Sequence, residues 1–274
     1  MSTKVADEST KLIFRRTNAK VGRHVAVCPE NSSMKHLAYG RIILNQTLSS
    51  VQFDVDERET GLICLAGEAQ IQVAGVTTDL SRYDAIYAPR DSRFEISTDS
   101  SVDFAEFSAD VAKHYPLQIV RYQEIIKDPG LCFRAGGPTC TRQLHMMLAK
   151  NIEAGRLVAG FTYSDPGNWT SWPPHEHSEL LEELYVYFDM PAPAFAVQLV
   201  YNDTEDPEVA AIVRDGDAVL MPRGYHPNVS VPGHRVGFLW AMAAHEEQKG
   251  RLFGVVNVQP GFQDAPSGLE AGRK

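Results

Sequence analysis

The chain has 274 residues, 43% of them hydrophobic and 22% charged, and carries a formal net charge of −9. That balance suits a soluble globular protein of one large or two medium domains. It argues against a nucleic-acid-binding surface, and no apolar run approaches the length needed to span a membrane.

Read from the start, the polar segment Met1–Lys11 lacks the apolar core of a secretory signal. Cys28, Cys64, Cys132 and Cys140 show no close metal-type spacing and read as reduced thiols, so a cytoplasmic protein is expected. Short apolar runs then recur, each bounded by Gly, Pro, Asn or Asp. They predict strands at Leu62–Leu65, Ala69–Val73, Asp84–Ala88, Leu157–Thr162, Leu184–Phe188, Ala194–Tyr201, Ala218–Met221 and Val236–Ala241. Only Tyr122–Lys127 and His245–Arg251 suggest a helical turn. Many short strands with frequent turns indicate an all-β sandwich or barrel.

An internal repeat sharpens this. Tyr83–Ser97 aligns without gaps to Gly216–Ser230, with Asp, Ala, Pro, Arg and Ser recurring in register. The repeat predicts two copies of one β-domain, at 1–125 and 126–274, joined within Lys113–Gly137 where Pro and Gly accumulate. Arg93 aligns with His226, and the first half has no His-x-His segment. The first copy is therefore expected to hold no metal.

The most informative stretch is Gly167–His177, which ends in Pro173-Pro174-His175-Glu176-His177. On a strand, His175 and His177 point to the same face. A carboxylate follows at Glu182 or Glu183, and a distant His226 lies in Met221–Pro227. Imidazole nitrogens plus one carboxylate suit a divalent metal with open positions; Zn or Mn are the first expectations. Pro173-Pro174 disfavours helix and helps aim the ligands, and Gly224 permits the turn that sends His226 inward. Four residues separate His177 from Glu182 in a common spacing, whereas strand parity puts Glu183 on the face of Tyr185 and Tyr187. His24, His36, His114, His145, His234 and His245 lack such company and read as structural. Trp169 and Trp172 are candidates for a sugar-binding wall or for core packing. Arg90 and Arg223 occupy equivalent turns; Arg223, close to His226, is the candidate partner for a substrate carboxylate.

These residues resemble the cupin superfamily, and more closely the bicupin family of uronate isomerases. Gly167–His177 is similar to the Gly-Asn-Trp-x-Ser-x-Pro-Pro-His-x-His signature of the members that act in inositol catabolism. Glu183–Phe188 is similar to the Glu-x-Tyr-x-Tyr strand shared with those of pectin breakdown. Gln198, in Phe195–Tyr201, and the block Val213–Pro227 also match. The inositol-pathway enzymes usually carry Lys between the histidines and Asp after them, where this chain has Glu176 and Ser178.

The resemblance implies two cupin (double-stranded β-helix, jelly-roll) barrels, with His175, His177, Glu183 and His226 on the metal. It implies aldose–ketose isomerisation of a small uronate, 5-deoxy-D-glucuronate to 5-dehydro-2-deoxy-D-gluconate first, with Glu183, Tyr185 and Arg223 as catalytic candidates. A homo-oligomer with no nucleic-acid or membrane partner is expected. An Fe²⁺-dependent cupin dioxygenase and a non-catalytic sugar-binding cupin are the competing readings.

Overall fold

The computed structural model describes residues 11–265, so most of the polar N-terminal segment lies outside the described residues. Among the described residues all paired strands are antiparallel, and the one α-helix is the short Tyr122–Ile125. His245–Arg251 forms hydrogen-bonded turns instead of a second helix. No helix among the described residues is long and apolar enough to cross a membrane.

Each half builds a large and a small sheet in the same order. In the first half the large sheet runs Gln118–Val120, Ala85–Ala88, Arg58–Val73, Val102–Asp110, Ala38–Leu44, Gly22–Val27. In the second it runs Ile13–Phe14, Ala218–Met221, Leu181–Tyr187, Gly237–Ala244, Leu157–Ser164, Arg142–Leu148, Cys132–Ala135. The predicted runs Leu62–Leu65 and Ala69–Val73 are one continuous strand, Arg58–Val73, which serves both sheets of its barrel. It turns the corner at a bulge between Cys64 and Ala66, followed by Gly67 at a φ of 74°. The second half uses two strands there, Leu181–Tyr187 and Ala196–Val200.

Counted from a join at Lys113 rather than at residue 126, Gln118–Val120 leads the second half, and the halves exchange their leading arms. Ile13 and Phe14 pair with Val219 and Ala218 of the second barrel, while Ile119 and Val120 pair with Ile86 and Ala85 of the first. Those partners are equivalent in the repeat, so the two arms enter in the same register. Each arm is then fastened by the repeated aspartate. Asp217 accepts from Arg15 Nη1 and Arg16 N, and Asp84 from Arg121 Nη1 and Tyr122 N.

Alternation along the central strands divides the core. Leu62 and Cys64 fill the interior of the first barrel with Ile71, Phe94 and Ile96. Ile63 and Leu65 instead join the core shared with Leu184 and Val186 of the second barrel. Burying so much apolar surface between the sheets fixes the barrels against each other.

Candidate metal centre

The strand Leu181–Tyr187 lies between Ala218–Met221 and Gly237–Ala244, and its residues Glu183 and Tyr185 point into the second barrel. His175 and Glu176 form a two-residue strand against Asn257–Val258 near the C-terminal end. His226 arrives on the turn after Met221, where Gly224 has a φ of 92° and lies against the Tyr201 backbone. Gln198 fixes that turn: its side-chain amide donates to the His226 carbonyl at 3.0 Å and its oxygen accepts from the Tyr187 hydroxyl.

His177, Glu183 and His226 bring ligand atoms within 4.8 Å of one another, all buried. His177 Nε2 is 3.0 Å and His226 Nε2 3.1 Å from the same Glu183 oxygen, Oε2. The His226 contact lacks hydrogen-bond alignment, so a buried ring nitrogen has no hydrogen bond. His175 lines the same cavity, its ring 5.0 Å from that of His226, but falls outside the 4.8 Å set.

The opposite ring nitrogens show what the site is built for. Nδ1 of His175, His177 and His226 lies 2.8, 3.2 and 2.9 Å from the carbonyl oxygens of Pro173, Leu181 and Gly224. A carbonyl only accepts, so each Nδ1 carries a proton and each Nε2 is turned toward the centre; the proton with which His177 Nε2 meets Glu183 would have to leave for a cation to bind there. Burial pushes the Glu183 carboxyl up, but His177 and His226 outweigh it and hold it down at about 2. Burial pushes His177 down, yet its bond to Glu183 raises it overall; burial and then His226 lower His175 to about 3. Three convergent imidazoles and one ionised carboxylate, with an orphaned nitrogen among them, fit a divalent cation.

Glu182 points the other way. Its carboxylate accepts from the backbone N–H of Lys35, His36 and Leu37 in the first barrel. The parity argument thus places Glu183 in the site and Glu182 at the junction.

The cavity is also lined by Arg142, Thr162, Ser171, Tyr185, Phe238, Trp240 and the C-terminal segment 253–256. Tyr185 donates or accepts a 2.6 Å bond with Ser171, and burial drives its phenol well above the usual range. Burial thus holds the Tyr185 phenol protonated, and Tyr187 is raised in the same way.

Two further expectations need correction. Arg223 is exposed and does not line the cavity, because the turn that sends His226 inward leaves Arg223 on the outside. The cavity's cation is Arg142, which has no motif spacing to the histidines and is brought in by strand pairing. Arg93, aligned with His226, is also exposed and bonds Asp54 and Gln52; its neighbours Phe94 and Ile96 enter the first barrel instead. Trp169 and Trp172 pack on each other and, through Trp172, on Phe262 outside the cavity.

Comparison with known proteins gives concordant findings. The model of the KduI/IolB family matches residues 12–254. The chain is 28% identical to 5-deoxy-glucuronate isomerase of Geobacillus kaustophilus over 81% of this chain and 84% of that protein. It is 30% identical to 4-deoxy-L-threo-5-hexosulose-uronate ketol-isomerase of Opitutus terrae over 73% of this chain and 71% of that one. An IolB-like protein from Salmonella typhimurium superposes with a TM-score of 0.79 at 22% identity, covering 92% of this chain and 98% of the other. An oxalate decarboxylase of Bacillus subtilis, described with Mn(II) centres, shares the fold at a TM-score of 0.60 and 13% identity, over 84% of this chain and 76% of that one.

Proposed function

The chain belongs to the KduI/IolB family, and on that premise we propose that it is a uronate isomerase interconverting the aldose and ketose forms of a deoxy-hexuronate. The first substrate to expect is 5-deoxy-D-glucuronate, giving 5-dehydro-2-deoxy-D-gluconate. The names of its relatives and the Gly167–His177 segment support this choice. The observation that carries the reading is the meeting of His177 and His226 Nε2 on one Glu183 oxygen, beside a cavity lined by His175, His177, Glu183 and Tyr185.

His175, His177, Glu183 and His226 would hold a divalent cation, with Zn or Mn the best match to a three-nitrogen, one-oxygen set. When bound, the cation supplies a Lewis acid for substrate oxygens. The reaction removes the C2 proton of the aldose, passes through an enediolate and returns a proton to C1, while the C2 hydroxyl proton passes to O1. Glu183 is the one carboxylate among the described lining residues and is held ionised. Its second oxygen would take the C2 proton and return it to C1. The Tyr185 phenol keeps its proton and donates toward a substrate oxygen as charge develops there. Phe238, Trp240 and Phe253 exclude water from the path of that proton.

The cavity measures about 50 Å³, and the segment 253–256 forms part of its wall.

Proton NMR in D₂O of 5-deoxy-D-glucuronate, with metal content measured on the same sample, tests the proposal. Conversion with solvent deuterium in the product is expected. No conversion of any deoxy-uronate by metal-loaded protein would reject the isomerase reading.

A further inference from the structure

We propose that Tyr187 and Gln198 are positioning residues for the metal-type site: the Tyr187 hydroxyl orients the Gln198 amide, and that amide holds His226 in place beside Glu183. This rests on the reading of His175, His177, Glu183 and His226 as ligands of a divalent cation. Tyr187 and Gln198 are both 0% exposed, and neither lines the cavity. Three carbonyls surround Gln198 Nε2, those of Leu199, His226 and Pro227 at 2.7, 3.0 and 3.3 Å. Carbonyls only accept, so the amide nitrogen must face them and the amide oxygen must face Tyr187. That oxygen also only accepts, so the Tyr187 hydroxyl donates to it. The tyrosine proton therefore fixes which way the amide points.

His226 needs such a tether. Its neighbours are held by backbone bonds: Tyr225 and Tyr201 exchange both of theirs, and the Pro227 carbonyl accepts from Leu199 N. His226 lies between them in no strand, and its carbonyl takes the Gln198 amide. A second bond aims the ring, from Nδ1 to the Gly224 carbonyl at 2.9 Å. One tether at the backbone and one at the ring limit the swing of Nε2, which lies 3.1 Å from Glu183 Oε2. The first barrel shows that the fold itself does not require this buried amide. There Ile71 opposes Ile96 across the small sheet. In the second barrel Gln198 opposes Asn228, which opposes Thr170, all three 0% exposed. Burying such polar groups costs stability unless they are bonded, and the polar row stands in the barrel that carries the metal-type site.

The test titrates metal-free protein with Co²⁺, whose d–d absorption reports both affinity and ligand geometry, at a temperature where each variant is folded. Tyr187→Phe keeps the ring and removes the proton that orients the amide. Gln198→Met keeps the length of the side chain and removes the tether. Gln198→Met should weaken Co²⁺ binding roughly 10–100-fold and alter the d–d spectrum. Tyr187→Phe should move both in the same direction by less. The double variant should match Gln198→Met alone, because Tyr187 acts through Gln198. A merely structural role would lower Tm and leave the affinity and spectrum of the folded protein unchanged, and that result would overturn the proposal. Additive losses in the double variant would overturn the relay from Tyr187. If Gln198→Met does not fold, Tyr187→Phe decides by the same two readings. Wild type that binds no Co²⁺ would reject the cation reading, and the proposal with it. Wild type that binds Co²⁺ no better than the variants would reject the positioning role alone.

Discussion

Glu59 and Glu182 perform the same task from opposite barrels. Glu182 accepts the backbone N–H groups of Lys35, His36 and Leu37, at 2.6 to 2.7 Å. Glu59 accepts those of Gly155, Arg156 and Leu157 over the same distances. Strand register makes them equivalent. Thr60 pairs with Ala88 and Glu183 with Met221, and Ala88 aligns with Met221 in the repeat. The residue after each clamp is therefore Thr60 in the first barrel and Glu183 in the second. One position holds the barrels together; the next distinguishes the barrel with a metal-type site.

Glu182→Gln should therefore cost stability without costing metal. The amide turns one acceptor into a donor that faces a backbone N–H, a loss of about 2–4 kcal/mol. A fall in Tm of roughly 5–10 °C would follow. Glu183→Gln should instead lower metal content, with a smaller effect on Tm measured metal-free. Calorimetry and metal analysis on both variants decide this; equal metal content in wild type and the Glu183 variant would show that the wrong carboxylate was assigned.

One metal per chain is expected, held in the second barrel. The interior of the first is packed with Leu62, Cys64, Ile71, Phe94 and Ile96. Replacing His175, His177 or His226 with Ala should each reduce occupancy strongly, because each supplies one of few ligands. Chelation should lower Tm, and adding Zn or Mn should restore it. Anomalous diffraction at the metal edge locates the ion; a strong peak inside the first barrel would contradict the assignment.

Local patterns made much of this architecture readable from sequence. Alternating strands, the Asp-Ala-x-x-x-Pro-Arg repeat and the His175/His177 spacing are short-range features, and they pointed to the all-β fold and the histidines that line the cavity. Long-range pairing was not readable. The arms Ile13–Phe14 and Gln118–Val120 are too short to carry a period, so their exchange between barrels left no trace. Arg142 has no spacing relation to His175; only the pairing of its strand with Leu157–Ser164 brings it to the cavity. Arg93 aligns with His226 yet takes the solvent face, because sequence alignment does not report which face of a strand a residue takes.

The C-terminal segment should act as a gate. Phe253, Gly254, Val255 and Val256 form part of the cavity wall, and the Phe253 ring lies 5.1 Å from that of Trp240. Asn257–Val258 pairs with His175–Glu176, Gln259 accepts from Tyr201, and Phe262 rests on Trp172. Asn257 and Glu176 are opposed across that ladder, at a separation suited to a disulfide. In the double variant Glu176→Cys/Asn257→Cys, oxidation should reduce turnover at least about tenfold, and reductant should restore it at constant metal content. Full activity with the bridge formed would show that substrate enters elsewhere.

Acid should weaken the fold through His145. Its ring stacks on Phe161 at 4.3 Å and is 6% exposed, and burial lowers its pKa to about 4 from 6.5. Between those values the unfolded chain binds the proton and the folded chain does not. Stability from this residue is thus complete above pH 6.5 and is lost as pH falls toward 4. At most about 3 kcal/mol is at stake, from 1.36 kcal/mol per unit. His145→Phe keeps an aromatic ring against Phe161 and removes the titration. Denaturant unfolding of metal-free protein at pH 7, 6, 5 and 4.5 should show a shallower decline in the variant than in wild type. Parallel curves would mean that His145 takes up its proton at the same pH in the folded and the unfolded chain, which would remove it as the source of the acid sensitivity.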